Sequence, residues 1–177
     1  MNEFYEFESW DKLDEIRLIL NRLNVRYVVH RHDDEEFSYL NDNEICVKIP
    51  NPYTDDTNRT VFIDLQDEIS LFFGAEWHAH YYLTEEDYRE FCETLSGFMK
   101  NELCSAAVFI GEDLHWGGSM LADRKSVSEK SAEEIFAGNT PSDANDFKQS
   151  WEEKGAEVRF RFWNPKDDKM VVFERKR

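Results

Sequence analysis

Two histidine doublets carry the most legible chemistry in the chain. His30 and His32 are separated by one residue, as are His78 and His80. Residues two apart on an extended strand project to the same face, so each doublet can present two imidazoles together. Glu76 extends the second doublet to Glu-x-His-x-His on one side. Imidazole and carboxylate donors suit zinc or another divalent metal, and three protein ligands with one open position is the catalytic form. One function class is therefore a metal-binding protein or metal-dependent enzyme using His78 and His80, joined by Glu76 and, if the doublets converge, by His30 and His32. The simpler reading needs neither metal nor any other cofactor. On a strand with one wet face, Glu76, His78, His80 and Tyr82 are the polar side, while Ala75, Trp77, Ala79 and Tyr81 pack inward.

Other catalytic signatures are missing from the sequence. Gly74, His78, His80 and Glu85 partly resemble the first metal motif of cupins. The Gly-to-His spacing is two residues short, however, Glu85 falls in an expected helix, and no second motif follows, so the match is taken as accidental. The two glycines of "HWGGSM" follow a strand without opening a helix, which implies a bulge or a close backbone approach, not a phosphate-binding loop. No Gly-x-Ser-x-Gly occurs. Cys46, Cys92 and Cys104 form no Cys-x-x-Cys and are expected as buried, inert thiols in a reducing compartment. No catalytic residue is assigned.

Charge is the strongest compositional signal. The 21 Lys and Arg face 38 Asp and Glu, a net charge of −17. Nucleic acid is a poor partner for such a chain, because phosphate binding requires a basic footprint. The excess is uneven: residues 61–120 hold 2 basic and 12 acidic side chains, whereas residues 121–177 hold 12 of each. An acidic field of this kind steers basic partners toward it. No stretch approaches the roughly 20 apolar residues of a membrane span, and the acidic start "MNEFYEFESW" differs from a signal peptide. A cytoplasmic protein without membrane partners is expected.

These residues must be positioned by a core, and 14 Phe and 5 Trp in 177 residues supply one. A single domain over residues 1–177 is expected. Ser9 reads as the N-cap of a first helix with Leu13, Ile16, Leu20 and Leu23 on one stripe. Thr84 reads as the N-cap of a second, running to about Asn101 on Tyr88, Phe91, Cys92, Leu95, Phe98 and Met99. "VRYVVHRH", "EICVKI", "RTVFIDL" and "EISLFFG" read as strands, the last two as a hairpin, with "DDEEFSYLNDN" a polar connection. Two strands around Gly111 to Asp113, short helices over 129–137 and 142–154, and a C-terminal hairpin about Asn164-Pro165 complete the order. Tight turns make neighbouring strands antiparallel. The expected class is α+β, an antiparallel or mixed sheet with helices packed against one face.

In the last hairpin Arg159, Arg161 and Trp163 alternate with Val158, Phe160 and Phe162. An internal complement to the acidic body is preferred here over an exposed Arg-aromatic docking face.

The cadence of "ISLFFGAEWHAHY", the helix from Thr84 and "AAVFIGEDLHWGGSML" resembles small bacterial immunity-type proteins of polymorphic toxin systems. The resemblance covers about half the chain and transfers no site residue. It implies a non-enzymatic inhibitor that occludes a basic toxin domain, steered by acidic side chains and held by buried aromatics.

Overall fold

A computed structural model describes residues 5–74, 77–118 and 120–176. Its contacts cluster into two compact units, residues 1–100 and 101–177. Where one sheet was expected, the described residues form two, each antiparallel throughout, and the class is α+β.

In the first unit α1 (Leu13–Arg22) and α2 (Glu85–Met99) accompany five strands: β1 (Val28–His30), β2 (Ile45–Ile49), β3 (Val61–Leu65), β4 (Ile69–Phe73) and β5 (Trp77–Tyr81). Chain order and sheet order coincide, β1-β2-β3-β4-β5, because each connection returns directly to the neighbouring edge. Period-two alternation sorts the side chains. Ile45, Val47, Ile49, Val61, Ile63, Leu65, Ile69, Leu71, Phe73, Trp77 and Tyr81 are buried on one face. Helix α2 packs there, with Phe98 against Phe73 and Trp77, and Phe91 against Tyr81. Thr84 caps α2 as expected, its hydroxyl accepting from the Asp87 N–H at 3.2 Å.

Two expectations change here. Ser9 does not cap α1. It opens a 3-10 turn (Ser9–Lys12) and its hydroxyl donates to the Gln66 carbonyl, so the α-helix starts four residues later. The segment read as a polar connection contains a 3-10 turn (Glu35–Phe37) and buries Phe37 and Leu40 against Cys46, with Phe62 packed beside them. Two apolar residues among acidic ones lack a readable period, yet they suffice to cover part of the second sheet face.

In the second unit β6 (Leu103–Ile110), β7 (Asp113–Trp116), β8 (Leu121–Asp123), β9 (Ala156–Phe162) and β10 (Lys169–Val172) form a sheet of order β10-β9-β6-β7, with β8 also on β6. The expected 129–137 helix is two: α3 (Arg124–Glu129) and α4 (Ala132–Ala137). Ser131 interrupts them by forming a capping box with Glu134, which holds Ser131 extended at φ −73° and ψ 161°. α5 (Ala144–Lys154) follows. Val127, Ile135, Phe136, Phe147 and Trp151 of the three helices pack on Cys104, Ala106, Val108, Ala122, Val158, Phe160 and Phe162. Of the two alternatives for "HWGGSM", the close backbone approach holds at Gly117, while the strand irregularity falls at His115, before the glycines. The β6–β7 register shifts between Val108 and Phe109, and a Cβ on Gly117 would lie 2.6 Å from the Ala106 oxygen.

Candidate functional site

The second face of the five-stranded sheet is where polar side chains gather. Register aligns His30 with Cys46, Cys46 with Asp64, Asp64 with Ser70, and Ser70 with His80. One polar row thus crosses all five strands, from the β1 edge to the β5 edge. A parallel row holds Val28, Lys48, Phe62, Phe72 and His78.

The row has a buried centre and two wetter ends. At the centre the Cys46 thiol and the Tyr39 hydroxyl both bond to the Asp64 carboxyl. Burial nevertheless raises the Asp64 pKa, since desolvation of the carboxylate outweighs those two bonds, and Glu44 adds repulsion. Asp64 Oδ1 is buried without a hydrogen-bond partner. Burial also pushes up the Cys46 thiol, reinforced by Asp64, and the Tyr39 hydroxyl. Cys46 is therefore protonated at neutral pH and is no nucleophile, as its burial suggested. Cys104 is buried too, while Cys92 is only half-buried, which corrects the expectation of three buried thiols.

Asp64 makes a linkage test possible. Its folded pKa lies above the unfolded value, so its contribution to stability is fully present below about the ordinary 3.8 and is lost as pH rises through the raised value. Asp64→Asn should remove that dependence. Urea denaturation of both proteins between pH 4 and pH 8 should show the variant gaining stability relative to the parent as pH rises. Parallel curves would mean that Asp64 ionises as freely in the folded chain as in the unfolded one.

At the β1 end, His30 Nδ1 lies 2.7 Å from Asp34 Oδ2 and its ring stacks on Phe37 at 4.0 Å. Its Nε2 is buried and unpartnered. His32 lies beyond the strand, 3.8 Å from Asp42. At the β5 end, His80 Nδ1 meets both Ser70 Oγ at 2.9 Å and Glu68 Oε1 at 2.5 Å. Serine, histidine and carboxylate are the types of a hydrolytic triad, but a triad needs the serine on one ring nitrogen and the acid on the other. Here both approach Nδ1, so the imidazole does not connect them.

The doublets do not converge. They occupy opposite edges of the sheet, and four strand spacings amount to about 19 Å. His78 and His80 share an exposed face as expected, with Trp77 and Tyr81 inward. Glu76 and Ala75 lie outside the described residues. Among the described residues no group of three or more His, Cys, Asp and Glu is arranged to hold a metal ion. Neither of two surface hollows, of about 410 Å³ beside Trp10, Arg17 and Arg31 and about 550 Å³ beside Tyr27 and Val28, is lined by the doublet on β5 or by Asp64.

Asp64, Tyr39, Ser70 and Glu68 were not singled out by their sequence. Asp64 had one available signal: in "VFIDL" it is the lone charge in an otherwise apolar strand.

Charge follows the two units. Residues 1–100 carry 23 acidic and 9 basic side chains, residues 101–177 carry 15 and 12. On α2 the spacing of Glu86, Glu90 and Glu93 puts three exposed carboxylates on its outward side. Among the described residues none of the three joins an ion pair. In the second unit Arg159 pairs with Glu157, its guanidinium lies 4.0 Å over the Phe109 ring, and Trp163 is 2% exposed. Trp163 therefore adds nothing to an exposed Arg-aromatic face. No described helix is long and apolar enough to cross a membrane. Comparison with protein-family models, curated proteins and solved structures finds no match.

Proposed function

We propose that the chain is a non-enzymatic, immunity-like cytoplasmic binding protein that recognises a basic protein surface through the acidic side chains of residues 1–100. The observation behind this reading is the outward row Glu86, Glu90 and Glu93 on α2, set in a unit with 23 acidic and 9 basic residues. Unpaired carboxylates on a rigid helix retain their attraction for incoming cations, whereas carboxylates already paired have spent it. Helix α2 is anchored by Tyr88, Phe91, Leu95 and Phe98, so the row is held in one orientation before any partner arrives.

Capture from an extract of the source cells on the immobilised chain, followed by titration of the captured protein, tests the reading. A basic protein should be retained and should bind at least about tenfold more weakly to E86K/E90K/E93K and at high salt, chiefly through a slower association rate. Retention of no protein, or binding indifferent to both salt and the triple substitution, removes the basis of the proposal.

A further inference from the structure

We propose that His78 and His80 bind one divalent transition-metal ion at the β5 edge, with water filling the remaining positions. The inference goes beyond acidic-surface recognition and does not depend on it.

The doublet has the spacing such an ion requires. The strand rise separates Cα atoms two residues apart by about 6.6 Å, yet the two ring centroids are 5.3 Å apart. The rings therefore lean together. Two imidazoles on a tetrahedral ion, each nitrogen roughly 2.0–2.1 Å from the metal, have ring centres about 5 Å apart. Both residues are exposed on β5, which among the described residues pairs only with β4.

His80 is also oriented for the task. With Glu68 Oε1 2.5 Å from its Nδ1, the Nδ1–H donates to the carboxylate and the Nε2 lone pair is left to a metal. A carboxylate behind a histidine in this way fixes the ring and raises its basicity as a ligand. Ser70 Oγ, 2.9 Å from the same nitrogen, supports that orientation. Phe72, opposite His78 in the register, places its ring 6.3 Å from His78 and 6.2 Å from His80 and gives the site an apolar flank. Two imidazoles select ions such as zinc or copper(II) over magnesium or calcium, which demand oxygen donors.

Zinc is the probe. Calorimetric titration of the tag-free chain with zinc chloride should give one ion per chain, and magnesium chloride should give no binding. His78→Ala and His80→Ala should each weaken zinc at least about tenfold, and Glu68→Gln about tenfold or more while keeping the stoichiometry. The H30A/H32A double variant should bind zinc as the parent does. Both doublet side chains are exposed, so urea denaturation should show the single variants folded. The imidazole proton resonances of both residues should move together on zinc addition. Absence of a one-to-one zinc isotherm, or an isotherm unchanged in both single variants, overturns the proposal.

Discussion

Trp151→Ala should cost about 3–5 kcal/mol of stability, the largest loss expected from any substitution discussed here. Trp151 is 2% exposed at the hub of an aromatic group in the second unit. Phe136 meets its ring edge-on at 5.2 Å, Phe147 lies at 5.3 Å and Phe173 at 5.1 Å. Truncation removes contacts to three rings on α4, α5 and the C-terminal segment. Large rigid neighbours collapse poorly into the space left behind, so a cavity penalty adds to the lost transfer free energy. Trp116 is the control. It joins the same group, stacking on Phe147 at 5.0 Å, but is 38% exposed on β7. Trp116→Ala should cost about 1 kcal/mol, because water already reaches the ring. Chemical denaturation followed by circular dichroism measures both, and equal losses would show that the group is not centred on Trp151.

Gly74→Ala should cost about 2–4 kcal/mol, combining left-handed backbone strain with a clash. Gly74 turns the chain from β4 to β5 at φ +62°, and a Cβ there would lie 2.2 Å from the Asn58 carbonyl oxygen. That oxygen belongs to the backbone of a 3-10 turn (Thr57–Arg59), and the Gly74 N–H donates to the Thr60 carbonyl at 3.3 Å, so neither side yields cheaply. Gly111 separates the two effects. Its φ is +65°, yet a Cβ there would meet nothing within 4 Å. Gly111→Ala should therefore show the strain alone, about 1 kcal/mol. If the two variants lose the same stability, the Asn58 turn moves aside and the close approach is not a constraint. The consequence reaches the candidate site, since Gly74 directly follows β4, whose Phe72 and Ser70 pair with His78 and His80.

Local signals proved legible wherever a single element carried its own pattern. The α2 stripe with its Thr84 cap, the β9–β10 hairpin about Asn164-Pro165, and the inward Trp77 and Tyr81 all follow from periods of 3.6 or 2 that neighbouring elements do not disturb. Local signals failed where another part of the chain competed for the same group. The Ser9 hydroxyl, suited to a cap, goes to the Gln66 carbonyl instead. The 129–137 segment differs: it has helical composition throughout, and the signal that splits it, the Ser131–Glu134 capping box, is itself local and restarts the helix within it.

The candidate site shows the same division more sharply. Glu76 aside, the residues His78 and His80 could be named from spacing alone. Asp64, Ser70 and Glu68 could not, because their proximity depends on register. A hairpin loop of Gln66 and Asp67 alone would set Asp64 opposite Ile69. The loop in fact includes Glu68, so Leu65 pairs with Ile69 and Asp64 with Ser70. A one-residue slip exchanges the faces of a strand, so no composition or periodicity argument could have assembled the row from His30 to His80.

From its residues alone this chain is an acidic α+β protein with two histidine doublets, because charge, apolar period and i, i+2 spacing are properties of adjacent positions. Tertiary structure decided that the strands form two sheets, that the doublets stand on opposite edges of one of them, and that a half-buried carboxyl lies between. Those outcomes depend on which strands pair and in what register. Pairing free energy is shared among residues far apart in the chain, and no short window of sequence contains it.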